Sequence, residues 1–196
     1  MNSSLPRVAP PTTPSATPNG TSIGWKVEDS AQLYHVDAWG GGYFGVNAAG
    51  HVVVRPDQTG REIDLLEIVE GLRARDLTAP LVIRFSDIIA HRLQSLHDAF
   101  AAAIAENEYR GRYTAVFPIK VNQQRLVVEE VYRSGKAFGF GLEAGSKPEL
   151  LVVMSMTEDA PDRLIVCNGF KDDAYIETVT LAQKLGRRIV PVVEKV

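Results

Sequence analysis

Apolar and polar positions divide the chain into three stretches, and the last is the most regular. After Arg112, apolar runs recur at Tyr113–Ile119, Ala137–Leu142, Arg163–Cys167 and Arg188–Val193, with centres about 25 residues apart, each read as a strand. Residues 123–134, 147–157 and 172–185 fit helices between them. Ser146-Lys147-Pro148-Glu149 fits a capping box, with Ser146 as cap and Glu149 at the third helical position. Gly135 and Gly186 stand where helices need a left-handed residue to stop. The strands are apolar on both faces, as in a sheet covered by helices. Their alternation with helices predicts parallel pairing with right-handed crossovers.

The middle stretch is less regular. Leu65, Ile68, Val69 and Leu72 predict an amphipathic helix over residues 63–75. Leu81 to Phe85 reads as a compact apolar strand. Ser86 would cap a long helix whose buried stripe is Ile89, Leu93, Leu96, Phe100 and Ile104. Earlier still, Gly40-Gly41-Gly42 and Asn47-Ala48-Ala49-Gly50 read as turns. They flank two short strands of a hairpin, Tyr43–Val46 and His51–Arg55. Residues 1–22 hold five of the eleven prolines among Ser, Thr and Asn, the composition of a disordered tail.

The fold class is therefore α/β, divided into a tail over 1–22, β elements over 23–60, and strand–helix units over 61–196. Two architectures share that alternation, a closed (β/α)8 barrel and an open doubly wound sheet, and periodicity does not choose between them. A barrel needs eight units and about 250 residues. Four strands in 196 residues would be its truncated first half.

Composition removes several function classes. The net charge of -3 and the absence of a basic cluster argue against nucleic acid as a partner. No apolar run is long enough to span a bilayer, and residues 1–22 lack the apolar core of a secretory signal. One cysteine, Cys167, rules out an intrachain disulfide and fits a reducing, cytoplasmic setting. It lies inside an apolar strand and is expected to be buried.

Candidate chemistry gathers at the carboxyl ends of the strands, where parallel α/β folds build their sites. Lys120 ends the strand Ala115–Ile119. In a partly dry mouth its ammonium form would be disfavoured, leaving the free amine that attacks an aldehyde. A solvated lysine at a strand end is the other reading that spacing allows. Glu143 follows the second strand, Asn168 and Lys171 the third, Glu194 and Lys195 the fourth. Loop residues there are commonly polar and cap the next helix, so this recurrence is suggestive only. His91 and His97, six residues apart, are poorly spaced for one metal and are expected to be solvated or packed on the helix. His35 and His51 have no evident partner. No H-E-x-x-H or C-x-x-C pattern occurs. Gly40–Gly42 lacks the residues of a phosphate loop, so a hairpin turn is the better account.

Phe117-Pro118-Ile119-Lys120-Val121-Asn122-Gln123 resembles the cofactor-lysine segment of the biosynthetic arginine decarboxylases. Gly141–Leu150, Ile165–Asp172 and Val192–Lys195 continue the likeness in order, as do Trp39, Tyr43–Asn47 and the Ile88–Leu96 helix upstream. The resemblance runs from about Trp25 to Val196. It implies an alanine-racemase-like, pyridoxal-phosphate-binding barrel, with the N-terminal β-hairpin elements belonging to a second, β-rich domain. The hairpin would then stand apart from the barrel wall and expose Tyr43, Phe44, Val52 and Val54. It implies pyridoxal 5'-phosphate joined to the matching lysine, Lys120, as an aldimine, with Glu143 and Asn168 in support. It further implies conversion of L-arginine to agmatine and CO2 in polyamine (spermidine and putrescine) biosynthesis, by a homo-oligomeric enzyme with which magnesium is associated, ligands unassigned. Family enzymes are much longer, so the phosphate loop, the group at the pyridine nitrogen and the proton donor would lie beyond these 196 residues, and this chain alone would be inactive. Three alternatives stay open. They are an ornithine, lysine or diaminopimelate decarboxylase of the same fold, a non-catalytic decarboxylase-like regulatory binding protein, and an unrelated open-sheet binding domain. Pro118-Ile119 and the Asn168–Asp172 loop favour arginine.

Overall fold

The computed structural model describes residues 24–193. The tail expected over 1–22, and Glu194 and Lys195, lie outside the described residues.

The strand–helix rhythm folds as a parallel wall. Its strands are β4 (Val116–Pro118), β5 (Gly141–Ala144), β6 (Ile165–Cys167) and β7 (Ile189–Pro191), in the spatial order of the sequence. Before β4 come helices α1 (Val27–Leu33) and α2 (Val36–Gly40), strands β1 (Phe44–Val46), β2 (Val52–Val54) and β3 (Ile63–Asp64), and helices α3 (Leu65–Arg73) and α4 (Ser86–Glu106). Helices α5 (Arg125–Gly135), α6 (Lys147–Met156) and α7 (Asp173–Lys184) connect the wall strands.

Register fixes which face each side chain takes. Phe117 pairs with Leu142, Leu142 with Ile165, and Ile165 with Ile189. Residues two apart share a face, so Ala144 and Cys167 lie with that row. These side chains meet Val128 of α5, Leu150 and Val153 of α6, and Tyr175, Val179 and Ala182 of α7 in one buried cluster. All three connecting helices thus cover one face. A doubly wound sheet would reverse its strand order and carry helices on both faces, so the barrel-wall arrangement is the one found. The opposite row, Pro118, Glu143, Val166 and Val190, is only partly covered, and Val190 is 48% exposed.

The N-terminal strands form a separate antiparallel sheet, β1–β2–β3. Phe44 pairs with Val54 and Val46 with Val52, as the hairpin reading expects. The sheet also takes in Ile63–Asp64, beyond residue 60. Asp64 caps α3, its carboxylate accepting from the N–H groups of Leu66 and Glu67. Two expected exposures are corrected: Tyr43 and Val54 are buried, while Val52 is exposed and Phe44 half-buried. The hairpin is covered by its own neighbours, and Tyr43 reaches His91 of α4 at 2.6 Å between Oη and Nδ1.

Other departures have local causes. Gly40 closes α2, and Gly41 and Gly42, both left-handed, lead into β1, so the glycines end a helix instead of turning a hairpin. Leu81–Phe85 has no strand partner and no regular structure. Ser86 is the first helical residue of α4, not its cap; Phe85 takes the cap position without a side-chain bond. The α4 stripe is incompletely covered, with Leu96 and Phe100 exposed. Gly135 is right-handed, and Gly139 (φ 71°) makes the left-handed turn after a short 3-10 turn over Lys136–Phe138. That turn delays β5 to Gly141. His97 stacks on Phe138 at 4.6 Å, so both α4 histidines are packing residues. His51, expected to be unpartnered, bonds Asp64 at 2.7 Å. Cys167 is buried, as expected.

Candidate functional site

The C-terminal ends of the wall strands converge on a chain of loop contacts. Pro118 ends β4, and the 3-10 turn Ile119–Val121 begins at once. Ile119 is buried in the wall core, which orients Lys120 outward. Lys120 is exposed, so the partly dry setting expected for it is absent from the chain as it stands. Its aliphatic stem passes the next strand's loop: a Cβ built on Gly145 would lie 3.9 Å from Lys120 Cδ.

Gly145 is fixed from two sides. Its N–H donates to Glu149 Oε2 at 2.7 Å, while Glu149 Oε1 accepts from Gln123 Nε2 at 3.1 Å. The capping box read from the sequence is half realised. Ser146 Oγ accepts from the Glu149 N–H at 3.4 Å, but the Glu149 carboxylate reaches Gly145 instead of the cap residue. One carboxylate thereby links the loop after β5 to the loop after β4. From the next loop, Gly169 (φ 78°) presses on the same residue, and a Cβ there would stand 2.6 Å from Gly145 O. Only glycine accommodates both that conformation and that approach.

Glu143 and Asn168 come together on the partly covered face. Asn168 Nδ2 lies 3.5 Å from Glu143 Oε1, and Asn168 Oδ1 accepts from the Gly169 N–H at 2.9 Å. The Asn168 N–H donates to Ala144 O at 2.9 Å, extending the ladder past β6. Tyr175, 1% exposed, donates its hydroxyl to the same Ala144 oxygen at 2.9 Å. Burial first, and then contact with Cys167, push the Tyr175 phenol well above its usual range. Burial likewise raises the Cys167 thiol, against the lowering effect of the neighbouring Tyr175 hydroxyl. Both stay protonated and serve packing.

Lys120, Glu143 and Asn168 therefore lie at this rim, and Lys171 joins them, its Nζ donating to Gly169 O at 2.6 Å. Sequence reasoning missed the bridging by Glu149, for which the capping box was the available signal. It also missed Tyr175 as support for the β5 end, which no local pattern indicated. The site offers a primary amine on an open surface, at the same strand ends as a carboxylate and an amide, and such an amine can take an aldehyde. In that respect the residues present fit the aldehyde end of pyridoxal phosphate. Among the described residues no group of three His, Cys, Asp or Glu side chains is placed to hold a metal ion, and no helix is long and apolar enough to cross a membrane.

Residues 89–190, just over half of the chain, match the family described as pyridoxal-dependent decarboxylase, pyridoxal binding domain. The chain is 53% identical over 175 residues to the biosynthetic arginine decarboxylase of Parasynechococcus marenigrum (strain WH8102), which covers 89% of the chain and 27% of that protein. With the enzyme of the same name from Synechococcus sp. (strain RCC307) it shares 55% identity over 172 residues, covering 87% of the chain and 27% of that protein. The crystal structure of the biosynthetic arginine decarboxylase from Campylobacter jejuni superposes with a TM-score of 0.75 at 33% identity, over 82% of this chain and 27% of that one. The chain thus spans 27% of the length of these relatives.

Proposed function

Because the chain belongs to the pyridoxal-dependent decarboxylases, we propose that it supplies the cofactor lysine, Lys120, of an enzyme that converts L-arginine to agmatine and CO2 in polyamine biosynthesis. The carrying observation is the placement of Lys120 at the carboxyl end of the first wall strand, its stem against Gly145 and its amine in the open. The choice of arginine is supported by relatives of that name at 53% and 55% identity. On this reading residues 61–196 form the first part of the cofactor-binding barrel. The strands within 23–60 belong to a second, β-rich domain, with which β3 pairs from the start of the barrel segment, and the whole protein is cytoplasmic and homo-oligomeric. Magnesium, expected from the same resemblance, receives no ligands among the described residues and no role here.

When bound, pyridoxal phosphate supplies an aldehyde for the lysine amine and an electron-withdrawing ring that takes up the electrons left by departing CO2. Lys120 holds the reacting nitrogen at the rim, and it attacks only when unprotonated. Glu143 offers a carboxylate that can accept a proton or hold a cationic nitrogen on the open face of the sheet. Asn168 orients that carboxylate through its amide. Gln123 and Glu149 keep the loop that carries Lys120 against the loop after β5.

The test is borohydride reduction of the whole gene product with pyridoxal phosphate, followed by peptide mapping and a parallel assay for agmatine. Label on Lys120 and agmatine from arginine are expected. Label on Lys136, Lys147 or Lys171 in its place would overturn the site. Failure to bind pyridoxal phosphate would overturn the enzyme reading.

A further inference from the structure

The loop after β6 is held by a side chain to which the proposed reaction gives no part. Lys171 is half-buried, and its Nζ donates to two backbone carbonyls, Gly169 O at 2.6 Å and Val192 O at 2.7 Å. The same nitrogen stands 5.7 Å from the centre of the Tyr175 ring. An ammonium has three donors and no acceptor. Two carbonyls and an aromatic face replace most of the water that a partly buried cation loses. One carbonyl belongs to the β6–α7 loop and the other to the residue after β7, so Lys171 spans the seam between neighbouring wall units at their carboxyl ends. The Val192 N–H donates to Cys167 O at 2.8 Å across the same seam.

What Lys171 holds is in contact with the site. Gly169 sits so close to the Gly145 carbonyl that a Cβ would stand 2.6 Å from its oxygen, and the stem of Lys120 runs past Gly145 at a distance a Cβ would fill, 3.9 Å to Cδ. Asn168, one residue before Gly169, bonds Glu143. We infer that Lys171 is a positioning residue, whose ammonium fixes the β6–α7 loop as the support on which Lys120 and Glu143 are set. The inference rests on the reading of Lys120 as the cofactor lysine. A cation suits the task because charge-assisted bonds to carbonyls are shorter and stronger than neutral ones. The loop it restrains contains the left-handed Gly169, which by itself is conformationally permissive.

The experiment follows the rate at which Lys120 is labelled. The whole gene product, as wild type, Lys171→Met and Lys171→Arg, is mixed with pyridoxal phosphate, quenched with borohydride at timed intervals and mapped by peptide. Each rate is measured well below that protein's own melting midpoint. Wild-type label on Lys120 establishes the underlying reading, and its absence removes that reading and this inference together. With the label present, Lys171→Met is expected to slow labelling about tenfold, the scale of a sub-ångström to ångström misplacement of a reacting group. Lys171→Arg, which keeps a cation and several donors, is expected to recover most of the rate. Equal rates in wild type and Lys171→Met overturn the inference, and so does a lowered melting midpoint with an unchanged rate, which marks a purely structural lysine. Should Lys171→Met fail to fold, Lys171→Gln takes its place under the same criteria.

Discussion

In β2 the buried side chains are neighbours in sequence, Val53 and Val54, whereas in β5 the buried Leu142 and Ala144 alternate with Glu143, which is only partly covered. Adjacent strand residues point to opposite faces, so the N-terminal sheet is covered on both sides at this point. The wall is covered on one side only. Its helices seal Leu142, Ile165 and Ile189, and the other face carries Glu143, Val166 and, beyond β6, Asn168. A small sheet closed on both faces has little room for a ligand. A wall with one dry face and one open face has a rigid backing and an accessible front, which is where positioned chemistry can be placed.

The largest effect expected to sharpen this contrast comes from Leu142→Ala. Leu142 is fully buried at the centre of the wall core, and truncation should cost about 3 kcal/mol. Both tryptophans, Trp25 and Trp39, lie in the N-terminal region. Urea unfolding followed by circular dichroism should therefore shift strongly in Leu142→Ala, while the tryptophan fluorescence transition shifts less. Coincident shifts would show one cooperative unit and break the comparison.

Acid should act on the other region. Burial alone would raise the Asp64 carboxyl, but hydrogen bonds from His51, the N–H groups of Glu67 and Leu66, and Asn47 outweigh it and hold the group below its ordinary 3.8. Stability from Asp64 is then complete above 3.8 and disappears as pH falls through the lower folded value. Tryptophan fluorescence should report loosening at low pH, and Asp64→Asn should flatten that response.

Alkali should return the effect to the wall. Burial, then the bond to Asp159, push the Tyr132 phenol up to about 12. Its contribution is full below the ordinary 10.0 and is lost as pH rises toward 12. Ultraviolet titration should find a late-ionising phenol that Tyr132→Phe removes. The smallest effect is expected from Arg125→Ala, which breaks an exposed pair with Glu129 at 2.5 Å. Neither unfolding transition should move measurably.

The wall was the most legible part of the sequence because its apolar runs, helical spacing and caps agree with one another. Helices α5 to α7 begin and end within about two residues of the expected positions, the usual uncertainty of helix ends. The N-terminal helices were not legible, since α1 and α2 are short and contain only one fully buried apolar side chain, Val36, and α2 ends among glycines. Leu81–Phe85 misled for a different reason: an apolar run becomes a strand only where a partner edge is available. Lys120 and Asn168 could be named because they lie just past strand ends, and Glu143 because it lies near one, though it stands inside β5 and not after it as its spacing suggested. Their companions depend on topology. Glu149 meets Gln123, 26 residues away, and Lys171 meets Val192, 21 residues away, and no local pattern encodes which loops become neighbours.

Strands β4 and β7 each have a single hydrogen-bonding neighbour among the described residues. The outward N–H and C=O groups of each can accept another strand. Short length limits that tendency, since β4 and β7 have three residues each and both contain proline, Pro118 and Pro191. A polypeptide restricted to these residues should nevertheless self-associate with rising concentration, through edge-to-edge pairing that shows as added β signal and light scattering. A charge on the open face of the outer strand, as in Val190→Lys, should raise its solubility while leaving the helix-covered core intact.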